Sequence, residues 1–236
     1  MTAEQAPSAT TRGTSAATKR GPGGPTSASS AAESPAESET TPGRRLTARG
    51  SQRRNQLIAL ATRRFAADGY HPTSVADIVD ELGVGKGVFY WYFESKEMLL
   101  EEILRDAQRG LRRVQSNAAA AAPGPIEMLE MGIRAAVAWS AEHAELAKLV
   151  EFALTDERFE PLVRKGRAAL VGDTVPLLRT AIDRGVIPDA DPEMLAYAVF
   201  GVAAHLTSVF LERSDNDPDV LADAVVDFCL RGIGAR

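Results

Sequence analysis

Apolar residues recur at helical spacing from about residue 51 to the end of the chain, and no stretch alternates with period two long enough to make a strand. Leu57, Ile58, Ala61 and Phe65 form the first stripe, closed by Asp68-Gly69. Val75, Ile78, Val79 and Leu82 then fall at i, i+3, i+4 and i+7. Ser74 and Asp77 are spaced for a reciprocal cap at the amino end, and Gly83 for a left-handed stop. The next apolar set is sparse: Val84, Phe89 and Tyr92 face inward, leaving Gly85, Lys86, Gly87 and Val88 facing out. Ser95 caps a longer helix with Met98, Leu99, Ile103 and Leu104 on one side. Its early Glu97, Glu101 and Glu102 and later Arg105, Arg109, Arg112 and Arg113 complement the helix dipole. Past Pro123-Gly124-Pro125 the spacing predicts helices near 125–140, 143–154, 158–184, 191–212 and 217–232. The fold class is all-α.

Two short helices meeting at a glycine turn have the geometry of a helix-turn-helix, here about residues 74–93, whose second helix enters the DNA major groove. A helix with so few inward anchors holds its place when its outer face meets something. Lys86 is its only cation and the first candidate for a base or phosphate contact. Gly85 and Gly87 allow a close backbone approach; a helix interior loses about 1 kcal/mol per Gly, so a contact or packing reason is expected. Val88 suits a thymine methyl. Thr73 and Ser74 hold the amino end of the preceding helix, where free N–H groups favour a phosphate. Gly83-Val84-Gly85-Lys86-Gly87 does not make a nucleotide-binding loop: Asp80 stands where the first glycine belongs, and Gly87 where Ser or Thr belongs.

The last two helices are apolar on more than one face. In 191–212, Leu195, Val199, Val202, Leu206 and Val209 make one stripe, and Met194, Ala198, Gly201, His205 and Ser208 a second, narrower one. In 217–232, Leu221, Ala224, Val225, Phe228 and Cys229 add a matching surface. Helices apolar on two sides bury both. Two such helices from each of two chains would form a four-helix bundle about a two-fold axis, with Ala198, Gly201, His205, Ser208, Leu221, Val225 and Phe228 at the homodimer interface. A small-molecule pocket in the body would draw on Trp139, His143, Phe152, Phe159 and His205, its polar-tipped and aromatic residues.

Charge divides the chain. Residues 1–50 carry 6 Lys/Arg against 4 Asp/Glu, residues 51–113 carry 10 against 9, and residues 114–236 carry 11 against 19. That asymmetry fits a DNA-facing front half and an acidic body kept off the phosphates. Residues 1–46 are Ala, Ser, Thr, Gly, Pro and Glu with scattered Arg, and are expected to be a disordered leader. Its end joins a basic run, Arg44, Arg45, Arg49, Arg53 and Arg54, which reads either as a solvated charge run or as an arm along the DNA. Residues 2–45 lack Val, Ile, Leu, Met and aromatics, so no signal peptide is expected, and no apolar run approaches the roughly 18 residues of a membrane span. A single cysteine, Cys229, precludes an internal disulfide, and the expectation is a soluble cytoplasmic protein. His71, His143 and His205 lack metal-ligand spacing, and no nucleophile–base set is present. No metal, cofactor or enzymatic activity is expected.

These residues together resemble the TetR (tetracycline-repressor-like) family of bacterial regulators. The resemblance lies in Ile58…Ala61…Phe65…Gly69-Tyr70, Thr73-Ser74-Val75…Ile78, Gly83-Val84, Lys86-Gly87-Val88-Phe89-Tyr90…Phe93 and Ser95-Lys96-Glu97. It covers about residues 51–111; beyond that the agreement is in helix pattern and length. Val79 departs from it, standing where helix-turn-helix proteins often carry Ala. The resemblance implies a three-helix DNA-binding head over 51–111, a long linking helix, and a ligand-binding and dimerising body over 112–236. It also implies phosphate or sugar contacts from Tyr90 and Trp91, and a phosphate clamp at Lys96. The function so implied is a homodimeric repressor of a double-stranded operator, released by a small-molecule inducer. The alternative is a ligand-independent regulator or activator whose body only dimerises.

Overall fold

The computed structural model describes residues 47–211, 213 and 217–235, all within the single compact unit Arg45–Arg236. The expected disorder of residues 1–46, with Arg44 and Arg45, lies outside the described residues. Among the described residues every regular element is a helix, in the order α1 Ala48–Asp68, α2 Val75–Glu81, α3 Lys86–Tyr92, α4 Lys96–Ala119, α5 Pro125–Glu142, α6 Ala144–Thr155, α7 Glu160–Asp183, α8 Pro192–Leu211 and α9 Pro218–Gly232.

Local chemistry sets the ends. Thr47 Oγ1 accepts from Gly50 N at 3.2 Å, so α1 starts a few residues before its apolar stripe. It stops at Gly69, whose φ of 91° suits a residue without Cβ. Ser74 and Asp77 form the reciprocal cap of α2, and Gly83, at φ 68°, turns the chain toward α3. Ser95 Oγ accepts from Met98 N at 3.1 Å to start α4. Pro125, Pro192 and Pro218 open α5, α8 and α9, where a missing N–H costs nothing. Pro176 lies inside α7 and removes the bond that the Gly172 carbonyl would accept.

Two apolar cores form. The first joins Leu57, Leu60, Ala61 and Phe65 of α1 and Ile78, Val79 and Phe89 of α2 and α3 to Leu99, Leu100, Ile103 and Leu104 of α4. It then continues into the body through Leu149, Ala153, Phe159 and Val163. The head is therefore seated on α6 and the start of α7 as well as hung from α4. The second core gathers Leu129, Ile133 and Val137 of α5, Val171 and Leu178 of α7, Val199 of α8 and the inner face of α9.

One sequence expectation changes here. Helix α8 is 20 residues long with a mean hydropathy of 1.8 over its most apolar stretch, enough by length and composition to cross a membrane. Gly201, His205, Thr207 and Ser208 break the apolar run without lowering that mean much. Ala196, Val199 and Thr207 are its buried residues, so much of its apolar surface has no cover among the described residues.

Candidate nucleic-acid interface and ligand cavity

Helix α3 is seven residues long and buries one of them, Phe89. Val88 and Tyr92 are half-buried, while Lys86 and Gly87 are exposed, as are Tyr90 at 55% and Trp91 at 57%. The two exposed rings are backed edge-on by inner ones, Tyr90 by Phe89 at 5.3 Å and Trp91 by Tyr92 at 4.5 Å. Both rings therefore stand out from the head on its α3 side. A Cβ added at Gly85 or Gly87 would meet nothing within 4 Å. Packing among the described residues does not require either glycine, which leaves room for a close approach from outside. Lys86 forms no ion pair with any described residue.

Where the head meets the body, charged and aromatic groups interlock. Arg158, in the α6–α7 turn, bonds Asp156 at 2.8 Å, lies 3.4 Å from Glu97 of α4, and stacks over the rings of Tyr70 and Phe159. Tyr70 meets Phe152 at 5.2 Å and Phe159 at 5.4 Å between ring centres. Burial, with the nearby Glu97 carboxylate, pushes the Tyr70 phenol far above its usual range. The Arg158 hydrogen bond holds the Asp156 carboxyl down at about 2.

Helices α4 to α8 line an open cavity of about 1740 Å³. Trp139 and His143 stack in its wall at 4.4 Å between centres, tilted 14°, and His143 Nδ1 lies 2.8 Å from the Trp139 carbonyl oxygen. Trp139 leans on Gly110 of α4, where a Cβ would sit 3.3 Å from the indole. Arg112 of α4 makes a bidentate bond to Asp173 of α7, at 2.7 and 2.8 Å, and both line the cavity.

On the outer side of α8 and α9, Met194, Tyr197, Ala198, Gly201, Ala204 and His205 are exposed along one helical stripe, and Val220, Ala224 and Phe228 along another. A Cβ at Gly201 would meet nothing within 4 Å, so no described residue requires its smallness either.

Comparison with known proteins now bears on this arrangement. Residues 57–103 match the family described as "Bacterial regulatory proteins, tetR family", and residues 122–233 match "Tetracyclin repressor-like, C-terminal domain". The chain belongs to the TetR family. This TetR-family chain is 26% identical over 199 residues to the uncharacterized HTH-type transcriptional regulator YdgC of Bacillus subtilis, covering 80% of this chain and 96% of that protein. It is 45% identical over 56 residues to the HTH-type transcriptional repressor KstR2 of Mycolicibacterium smegmatis, spanning 24% of this chain and about a quarter (27%) of that relative's length. A FadR transcriptional regulator from Bacillus subtilis, solved in complex with stearoyl-CoA, shares the fold. Its TM-score is 0.67 at 21% identity, over 76% of this chain and 98% of that one. The protein is a TetR-family DNA-binding transcriptional regulator, and the family is one of regulators rather than enzymes.

Within this regulator several expected site residues sit elsewhere than the sequence suggests. Thr73 is buried, its hydroxyl donating to the Gly69 carbonyl at 2.8 Å, so its side chain closes the α1–α2 turn. Ser74 is exposed, but its N–H donates to Asp77 Oδ2 at 2.8 Å, and that bond holds the Asp77 carboxyl below its usual range. The amino end of α2 thus already has its anion. Lys96 is corrected too: its ammonium donates to the carbonyls of Tyr70 and Thr73, both at 2.9 Å, and to His71 at 3.4 Å. With its donors so engaged and burial lowering its pKa, it ties the fold together here rather than standing free as the sequence suggests. Of the basic run, Arg54 is taken by Glu102 at 3.2 Å and by the Phe93 ring.

The cavity brings together Trp139, His143 and His205 but leaves out Phe152 and Phe159, which pack under Tyr70 at the head–body joint. At the outer surface Ala198, Gly201 and His205 are exposed, Ser208 is half-buried, and Phe228 is 59% exposed. Leu221 and Val225 are buried, so their assignment to a dimer face is corrected. Their stripe is the inner one of α9, packed in the second core, and Val220 and Ala224 occupy the outer one beside Phe228. Sequence reading did not single out Tyr197, Val220, Arg112, Asp173 or Arg167; an exposed Tyr or Val beside a glycine stripe was the available signal for the first two.

Proposed function

We propose that this TetR-family regulator is a homodimeric repressor whose grip on its operator is released by a small molecule bound in the α4–α8 cavity. The outward face of α3 carries the reading. Lys86 supplies charge, Gly85 and Gly87 supply clearance, Val88 an apolar base contact, and Tyr90 and Trp91 flank the groove as backbone contacts. The stripes of α8 and α9 support a second copy as the cover for that apolar surface, which makes a membrane unnecessary as its partner. Gly201, Ala204 and His205 belong both to the α8 stripe and to the cavity lining, so a partner seated there closes part of the cavity wall. Ligand occupancy and the spacing of the two heads are then coupled through α4 and α8, by roughly 1–3 kcal/mol as such couplings go. That a FadR of the same fold was solved with stearoyl-CoA supports a body of this shape as a ligand site.

Footprinting on DNA around the regulator's own gene tests the reading. The expected pattern is a near-palindrome with two half-sites about 34–36 Å apart. A single asymmetric protected site would overturn the dimer. Protection that no compound handled by neighbouring gene products relieves would favour a ligand-independent regulator.

A further inference from the structure

We infer that the cavity takes an anionic amphiphile, an apolar body bearing one acidic group, and that Arg167 receives the acid. The inference deepens the proposed ligand site and rests on it. Most of the cavity wall is apolar, with Leu129, Ile133, Val137, Leu170 and Phe200 among its residues. The charged groups divide into three kinds. Arg112 and Asp173 neutralise one another. Arg113, Lys148 and Glu151 are exposed and hydrated. Arg167 differs from both: it is half-buried in the wall and makes no ion pair or side-chain hydrogen bond with any described residue.

A guanidinium partly withdrawn from water and without a carboxylate is unfavourable, and its planar fork fits two oxygens of a carboxylate or phosphate. A cationic ligand would add like charge beside it, and a neutral one would leave it unpaired. Position matters as well. Next to Arg167, Gly166 leaves room for the Gln108 amide of α4, which donates to the Leu162 carbonyl at 3.3 Å; a Cβ at 166 would collide with that amide. An acid held at Arg167 therefore acts on α7 where it touches α4, the helix whose amino end holds the DNA-binding head.

The test uses full-length chain carrying Trp91→Phe, which leaves Trp139 in the cavity wall as the one remaining indole. Dodecanoate, dodecanoyl-CoA, dodecanol and dodecyltrimethylammonium are titrated against its fluorescence. At least one of the two anions is expected to bind more tightly than the alcohol or the ammonium. Arg167→Gln should weaken that anion by about tenfold to a hundredfold, the worth of a charge-assisted bond, without changing dodecanol. Arg167→Lys should recover part of the loss, which separates charge from misfolding. Dodecanoate binding as tightly as the thioester identifies a free carboxylate; binding of the thioester alone identifies the coenzyme A phosphates. Equal affinity for alcohol and anion, preference for the ammonium, indifference to Arg167→Gln, or no binding of any probe overturns the inference. DNA is absent throughout, so the anion assignment is read on its own; in a separate titration of the unsubstituted chain on its operator, dodecanoate that binds yet leaves the operator occupied would sink the induction reading and leave that assignment intact.

Discussion

The Lys96 ammonium lies 4.3 Å from the centre of the Tyr70 ring and donates to the Tyr70 carbonyl at 2.9 Å, tying the first turn of α4 to the loop that follows α1. Through this one residue the linking helix grips the head at the loop that leads into the helix-turn-helix. The cation has a partly buried, structural task, and its replacement should look different from that of a cation that meets DNA.

Lys96→Met should lower stability by about 1–3 kcal/mol, since the carbonyls of Tyr70 and Thr73 lose a charged donor. Urea denaturation followed by circular dichroism reads this. A variant as stable as the parent would return Lys96 to the list of candidate phosphate contacts.

Lys86→Ala should leave stability within about 0.5 kcal/mol, weaken operator binding and lower the slope of log affinity against log salt by about 1. Gly87→Ala separates fold from function more sharply. No described residue obstructs the added methyl, so stability should hold or rise by up to about 1 kcal/mol, the helix cost of glycine, while DNA affinity falls. Unchanged affinity for both variants would remove α3 from the interface.

Phe228→Asp and Val225→Asp are neighbours on α9 with opposite fates. Phe228 is exposed on the outer stripe, so its charge should yield a folded monomer in sedimentation. Val225 is fully buried, and a carboxylate there should prevent stable folding. A folded Phe228→Asp dimer would refute the proposed face.

The bond from Arg158 holds the Asp156 carboxyl at about 2, below its usual 3.8, so the head–body joint is expected to weaken in acid. A carboxylate with a depressed folded pKa stabilises above its unfolded value and loses that contribution as pH falls through the folded one. The melting temperature of Asp156→Asn should therefore fall below the parent's at neutral pH, and the gap should close between about pH 4 and pH 2. A gap constant with pH would assign the effect to packing.

How far the sequence reached depends on the range of the interaction. The helices, the Ser74–Asp77 cap and the stops at Gly69 and Gly83 are local, and their residues name them. The inward set of α3 follows from the same periodicity. What the pattern did not show is long-range. Phe152 and Phe159 look like pocket aromatics until the fold brings them under Tyr70, and Lys96 looks free until the carbonyls 23 and 26 residues earlier in the chain close on it. On α9 both faces are apolar, so periodicity gives two stripes and no rule for which one faces the core. Arg167 carries no local signal: an arginine in an acidic body reads as surface, and that it pairs with no described residue is a property of the fold.

A homodimeric repressor brings two α3 helices to one duplex. A labelled fragment selected by the protein from random-sequence DNA, held far above the dissociation constant, can be titrated to the breakpoint by fluorescence anisotropy. The account predicts saturation at two chains per duplex and, at lower DNA concentration, a lost affinity for Lys86→Ala. Saturation at one chain per duplex, or Lys86→Ala binding as tightly as the parent, would contradict it.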